Sequence, residues 1–155
     1  MKTLPPESET GAFINFLPEE LPAPILKRQV KSWMAERDFI IRDRDECLVF
    51  QMGLSFVGIF FYRIPLSMGH VNCFSLQAYA LGRFGAQFLD DDDLELINEK
   101  LKTGRLIRGH KNQILFTYNV LAEGIKKGVF YRTLDVFKHG IDMTDQQINI
   151  LMSTS

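Results

Sequence analysis

The fold of this sequence depends on one stretch, Phe56-Val57-Gly58-Ile59-Phe60-Phe61-Tyr62. It consists almost entirely of β-branched and aromatic residues, which pack well on a pleated sheet. Its apolar residues occupy both odd and even positions, so both faces of the strand have side chains to bury. The stretch therefore predicts a central strand that is covered on both faces, or one with a face left for a partner.

Further strands are predicted on either side of this stretch. Residues 39–41 and 47–50 are mostly β-branched, aromatic or apolar, and the polar residues 43–46 between them predict a hairpin. The apolar residues of 71–81 alternate as in a strand but also fit one face of a helix. We predict a strand there, because the central strand needs a neighbour with which to pair. Residues 106–121 predict a second hairpin, which Gly124 ends.

Two helices are predicted from their terminal residues and apolar spacing. Pro24 suits the first turn of a helix over residues 24–36, which has one apolar face. The unbroken aspartate run 90–93 begins the next helix, about residues 91–103, because carboxylates stabilise the positive end of a helix dipole. Gly104 is placed to cap its carboxyl end.

The last predicted helix carries a long apolar stripe. Its residues step by four and three along the chain: Phe130, Leu134, Phe137, Ile141, Thr144, Ile148 and Leu151. Residues 142–145 leave open whether one helix continues or a second one begins. A single helix of this length would overhang a domain of this size. We therefore predict an oligomer interface at Phe137, Ile141, Ile148 and Leu151.

The amino-terminal residues differ in composition from the rest. Five of the six prolines lie within the first 24 residues, which predicts an extended arm over residues 1–23 and a single domain over 24–155. The arm contains an apolar run with Phe13, Ile14 and Phe16. This run either packs on its own domain or docks on another subunit. We predict these three residues to be partner-binding.

Composition and charge narrow the class of protein. A net charge of −1 does not indicate a polyanion-binding protein, for which a basic surplus is expected. The two cysteines are too few for a disulfide scaffold. There is no secretory signal pattern, and the longest apolar stretch, residues 54–64, is shorter than the roughly 20 residues of a membrane helix. These features predict a cytoplasmic protein that does not enter a membrane.

No residue set predicts catalysis, a metal or a cofactor. His70 and Cys73 are three apart, which on a strand places them on opposite faces. Calcium loops alternate carboxylates with other residues, whereas the aspartate run 90–93 is unbroken and leads into a helix. The three histidines lack zinc-ligand spacing. Neither a dinucleotide-binding nor a P-loop motif is present.

Two other classes of function remain open alternatives. The basic residues between 100 and 111 form a local cluster that is able to touch phosphates, although such a cluster is usually solvated surface in a chain that is not basic overall. A small-molecule-binding or enzymatic domain would need a closed pocket with convergent polar groups.

The second half of the chain resembles a known family. An acidic helix leads into Gly104-Arg105-Leu106-Ile107, a hairpin strand ends with residues 116–124, and a helix with Leu134-Asp135-Val136-Phe137 follows. This order is similar to that of the YbjN-like bacterial sensory transduction regulators, whose fold is that of the class I chaperones of type III secretion. The resemblance implies a non-enzymatic, often dimeric domain that binds other polypeptides. No functional residues of the family can be assigned to this chain, because no motif of the family matches it position by position.

The sequence thus predicts an α+β fold, an antiparallel sheet with packed helices in the order α-βββ-α-ββ-α. The predicted function is non-catalytic binding of another polypeptide, as a chaperone, adaptor or assembly factor, by a homodimer. Phe56, Phe60 and Tyr62 on the central strand are the other predicted partner-binding residues. Strand addition at a sheet edge and helix packing in a groove are the two modes of binding considered.

Overall fold

The computed structural model describes residues 21–45, 47–79, 89–109 and 113–154. The helices and strands in these ranges are β1 Leu21–Pro22, α1 Pro24–Glu36, β2 Arg42–Asp43, β3 Cys47–Met52, β4 Ser55–Pro65, β5 His70–Tyr79, α2 Asp91–Lys100, β6 Arg105–Arg108, β7 Ile114–Leu121 and α3 Lys127–Thr154. The predicted arm residues Phe13, Ile14 and Phe16 lie outside the described ranges.

The described strands form one seven-stranded antiparallel sheet. Its order is β2-β3-β4-β5-β7-β6, and β1 pairs with the carboxyl-terminal part of β4, beyond the end of β3. Strand β4 therefore has hydrogen-bonded neighbours on both sides. The position of the Phe56–Tyr62 stretch is that of a central strand, as its composition predicts.

Helices α1, α2 and α3 pack on one face of this sheet, which we call the first face. Its central side chains are Ile59 and Phe61 of β4, Phe74 of β5 and Phe116 of β7, all of them buried. They share one apolar cluster with the buried residues of the three helices. The Phe130 ring of α3 contacts the Phe74 ring edge-on at 5.9 Å between centroids, so the longest helix lies across the strands.

The α+β class with an antiparallel sheet and packed helices is confirmed. Residues 70–79 form a strand, as predicted for this region, and α1 has its predicted bounds.

The predicted strand over 39–41 was wrong, because the backbone there still completes the end of α1. Phe39 donates its backbone N–H to Met34, and pairing with β3 begins only at Arg42. Four strands, β2 to β5, separate α1 from α2, whereas the predicted element order has three there.

Helix α2 begins with a reciprocal capping box. The Asp90 side chain accepts a hydrogen bond from the Asp93 backbone N–H at 2.8 Å, and the Asp93 side chain accepts one from the Asp90 backbone at 3.1 Å. Each carboxylate satisfies a backbone donor that the first turn leaves without a partner. The aspartate run therefore acts as a helix start, as predicted, and the helix ends at Lys100, three residues earlier than predicted.

Helix α3 runs unbroken through residues 142–145, and Gly140 in its middle lets it approach the sheet closely. A Cβ atom at Gly140 would lie 2.6 Å from Cε2 of Phe116. The Phe116 ring has little room to withdraw, because it stacks on Phe137 at 5.2 Å and its other neighbour is Gly104, where a Cβ would lie 2.7 Å from Cε1. The two glycines and Phe137 thus fix the position of the Phe116 ring.

Gly140→Ala should destabilise the protein even though alanine is the better helix former. We expect a loss of about 1–3 kcal/mol in the free energy of unfolding, the usual cost of overpacking a core. Gly128→Ala in the first turns of the same helix is the matched control, because a Cβ there has no neighbour within 4 Å. It should be neutral or stabilise by up to about 1 kcal/mol. Urea unfolding measures both changes, and equal values for the two variants would contradict this account of Gly140.

Candidate functional site

The sheet has a second apolar face, opposite the helices. Side chains alternate along a strand, so Phe56, Phe60 and Tyr62 of β4 point away from the first face. The register places further residues beside them, and together they define the second face: Cys47, Val49 and Gln51 of β3, Cys73, Ser75, Gln77 and Tyr79 of β5, Arg105 and Ile107 of β6, and Leu115, Thr117, Asn119 and Leu121 of β7.

The centre of the second face is an apolar cluster. Its buried members are Cys47, Val49, Phe60, Tyr79 and Leu115, with Phe56 and Ile107 packed at its margin. The rings of Phe56 and Tyr79 lie 5.5 Å apart. All of these residues belong to strands, whereas the cluster on the first face contains residues from all three helices.

Two polar side chains lie among these apolar ones. Ser75 is the cross-strand neighbour of Phe60, and Gln77 is that of Gly58; both polar side chains are buried. Gly58 contributes no side chain to the second face beside Gln77. The second face thus combines aromatic side chains with a buried hydroxyl and a buried amide near its centre.

The structure brings together three of the predicted partner-binding residues. Phe56, Phe60 and Tyr62 share the second face, with Phe60 buried and the other two partly buried. Both edges of β4 are hydrogen-bonded to neighbouring strands, so the exposed parts of Phe56 and Tyr62 can be reached only through the second face. Sequence reasoning did not identify their neighbours on β3, β5 and β7, since only the register of the sheet places these side by side.

The predicted oligomer-interface residues contact the chain's own core. Phe137, Ile141 and Ile148 are buried with the side chains of the first face, and Leu151 packs partly against the same cluster. In this arrangement a second subunit reaches them only if α3 leaves the sheet. The spacing by four and three identifies the face of α3 that packs on the sheet.

A different stripe of α3 is exposed. Val129, Val136 and Ile150 are each at least 40% exposed, and Met143, which completes their spacing of seven residues, is partly exposed. Residues seven apart lie on one side of a helix, so these four side chains line up beside the buried stripe. Their spacing was visible in the sequence but was obscured by the stronger stripe next to it.

The edge of the sheet at β6 is blocked by a side chain. Asn98 of α2 donates its amide to the backbone oxygen of Leu106 at 3.0 Å and accepts from the Leu106 backbone N–H at 2.7 Å. These two bonds use the groups that a strand added to β6 would need. Proteins commonly protect sheet edges against unwanted pairing, and Asn98 does so here.

Asn98→Ala should destabilise the protein and expose this edge. Losing two hydrogen bonds to the Leu106 backbone should lower the free energy of unfolding by about 1–3 kcal/mol. Glu99→Gln, a neighbouring exposed position on α2, is the control and should change the free energy by less than about 0.5 kcal/mol. Urea unfolding measures stability, and light scattering measures self-association. If Asn98→Ala changes neither the free energy of unfolding nor the self-association, other features of the protein must protect this edge.

The other residues considered for chemistry are separated in the structure. His70 and Cys73 lie on β5 at an odd spacing and point to opposite faces of the sheet, as predicted; His70 is exposed and Cys73 is buried. Within the described ranges, no three His, Cys, Asp or Glu side chains gather as metal ligands would. In the basic cluster, Arg108 contacts the Leu89 backbone oxygen at 3.0 Å and Asp91 at 3.2 Å. His110 lies outside the described ranges.

A groove at the start of α1 carries an ion-pair cluster. Lys27 and Lys31 each lie 2.7 Å from a different oxygen of Asp43, and Lys27 also contacts the backbone oxygen of Arg44. Hydrogen bonds from Lys27 and then Lys31 lower the pKa of Asp43 below its ordinary value. The cluster ties the short strand β2 to α1, which gives these charges a structural role.

The Asp43 cluster should contribute to acid sensitivity. Because the folded-state pKa of Asp43 is lowered, its stabilisation is present above the unfolded pKa of about 3.9 and is lost as the pH falls through the folded value. Asp43 is partly exposed, so solvent screening limits the effect of Asp43→Asn at pH 7 to less than about 1 kcal/mol.

The measurement is urea unfolding of both proteins between pH 7 and acid pH. The difference in free energy between wild type and Asp43→Asn should close as the pH falls below about 3.9. Asp135→Asn on the exposed side of α3 is the control and should show a flatter difference. A difference for Asp43→Asn that stays constant with pH would contradict the assigned role of the cluster.

Comparison with known proteins adds no relative. No family model matches this chain, and neither the curated proteins nor the solved structures give a significant match. In the ranges that the structure describes, no helix is long and apolar enough to cross a membrane.

Proposed function

We propose that this protein is a non-catalytic binding module for another polypeptide, acting as a chaperone, adaptor or assembly factor through the second face of its sheet. The observation that carries the proposal is the apolar cluster around Phe60, which no helix of the described ranges covers. The partly buried Phe56 and Tyr62 and the exposed Leu121 lie on the same face around this cluster and are apolar side chains that a partner can reach. Accessible apolar side chains grouped on one surface are a common site of protein association.

The geometry favours binding on the face of the sheet over strand addition. Strand β4 is paired on both edges, and Asn98 occupies the outer edge of β6. From Phe56 to Tyr62, β4 extends roughly 20 Å, which equals about four turns of an amphipathic helix. A partner segment with apolar residues along one side matches the length and the apolar character of this surface.

The family resemblance supports the same proposal and extends it. It implies a homodimer, and the stripe of Val129, Val136, Met143 and Ile150 is an exposed helix surface that suits self-association. It also implies a bacterial protein, and the composition of the sequence predicts a cytoplasmic one. Neither Cys47 nor Cys73 forms a disulfide, which agrees with a reducing compartment.

Binding of defined peptides tests the proposal. Labelled amphipathic peptides with apolar residues on one side should raise fluorescence anisotropy on binding, and peptides of the same composition in scrambled order should bind more weakly. Phe56→Ser removes an accessible aromatic ring from the second face and should weaken binding about tenfold, equivalent to about 1.4 kcal/mol.

Leu54→Ser is the matched control, because Leu54 is an exposed apolar residue in the turn before β4 and lies off the second face. It should leave the affinity unchanged. Equal weakening by both substitutions would place the binding surface elsewhere. Absence of binding by all peptides, with a saturable and salt-sensitive interaction with RNA instead, would favour the nucleic-acid alternative over the proposed function.

A further inference from the structure

A small groove lies where the end of α1, the turn between β3 and β4, and the first half of α3 meet. Its floor is apolar, because Met52 and Leu134 are buried members of the cluster on the first face, and Phe39 and Tyr131 pack partly against that cluster. The volume of the groove is about 280 Å³. Pockets for drug-sized ligands measure roughly 300–1,000 Å³, so this groove has room for a smaller molecule.

The rim of the groove carries more positive than negative charge. Arg37 at the end of α1 and Lys138 of α3 line it together with one carboxylate, Asp135, and all three residues are exposed. Lys138 lies 3.6 Å from Asp142, one turn further along α3, and so has a carboxylate partner of its own. Within the part of the chain that the structure describes, no carboxylate forms an ion pair with Arg37. Arg37 is therefore the cation that the groove offers to a ligand.

The Arg37 guanidinium is held over an aromatic ring. Its central carbon lies 3.8 Å from the centroid of the Tyr131 ring. The Tyr131 hydroxyl donates to the backbone oxygen of Trp33 at 2.7 Å and lies 3.3 Å from the Glu36 carboxylate, so the ring itself is fixed to α1. A planar guanidinium over a ring face keeps its N–H donors in its own plane, where two of them can bind the two oxygens of a carboxylate.

We propose that this groove binds a small organic anion, a carboxylate carried by a short aliphatic chain or a single aromatic ring. Arg37 binds the carboxylate, and the apolar part of the ligand lies on Phe39, Met52 and Leu134. The floor and the rim of the groove together define this chemistry. A neutral ligand leaves the Arg37 guanidinium without a partner, and a small inorganic anion leaves the apolar floor unused.

The charge of the rim favours a carboxylate over a phosphate group. A phosphate monoester carries about 1.5 to 2 negative charges at pH 7, whereas a carboxylate carries one. Arg37 supplies one positive charge, and the exposed Asp135 carboxylate on the same rim repels additional negative charge. The groove lies on the helical side of the sheet, so this inference goes beyond the polypeptide binding proposed for the second face and does not depend on it.

The experiment titrates the full-length protein with 4-fluorophenylacetate and follows the fluorine NMR signal of this probe. We expect a dissociation constant of about 1 mM, because a ligand of this size gains limited free energy per atom. The neutral analogue 4-fluorophenylacetamide should bind about tenfold more weakly, since it lacks the charge-assisted hydrogen bonds. Inorganic phosphate at equal concentration should not displace the probe. Equal affinity for the acid and the amide, or displacement by phosphate, would overturn the inference.

Substitution of the arginine tests its role. Arg37→Gln should weaken binding of 4-fluorophenylacetate about tenfold, because it removes the charge and keeps much of the side-chain length. Arg28→Gln is the matched control, since Arg28 is an exposed arginine near the other end of the same helix and lies outside the groove. It should leave the affinity within about twofold of wild type. Unchanged affinity in Arg37→Gln, or an equal loss in Arg28→Gln, would overturn the inference.

A second measurement locates the bound probe in the wild-type protein. The backbone amide signal of Gly53, which lines the groove, should shift during the titration in ¹H–¹⁵N correlation spectra. Gly69, in the turn at the opposite end of β4, should keep its position. A probe that binds without shifting Gly53, or that shifts both glycines equally, occupies another part of the molecule and would overturn the inference.

Discussion

Strand β4 has apolar side chains to bury on both of its faces, and the rest of the structure depends on this constraint. Its even and odd positions both carry large apolar side chains, Phe61 toward one side and Phe60 toward the other. A sheet that is apolar on both faces needs three layers, and three helices supply one of the outer two. Gly140 allows that helical layer to approach within contact of the Phe116 ring, and Gly104, just before β6, leaves room for the same ring. The second face, opposite the helices, holds a smaller apolar cluster built from strand residues alone.

The sequence predicted those helices and strands well whose start or position is decided by neighbouring residues in the chain. The aspartates at 90–93 form a capping box, Pro24 begins α1, and the stretch around Phe60 is a central strand. The errors have two causes, the completion of a helix end in one place and pairing between strands in the other. Phe39 has strand composition, but the end of α1 holds its backbone. The two-residue strands β1 and β2 exist only because β4 and β3 are there to pair with them.

The candidate site was predictable only in part, because a sequence shows that a side chain is apolar and does not show what covers it. Phe56, Phe60 and Tyr62 share a face by simple alternation, and their spacing already contained that information. Their neighbours Leu115 and Val49 come from strands distant in sequence, so only the register reveals them. The stripe that contains Phe137 and Ile141 was predicted as an oligomer interface. Its regular spacing instead marks the side of α3 that is buried against the chain's own sheet.

The two faces of the sheet differ in how they are tied to the rest of the described structure. The helical layer is joined to the first face by interlocking aromatic side chains, by Asn98 and by the Lys27–Asp43 pair, so its removal would unfold the protein. The apolar cluster of the second face consists of strand residues alone, and no helix of the described ranges packs on it. Binding at the second face would therefore leave the helical layer and its core in place, whereas binding at the first face would require α3 to leave the sheet.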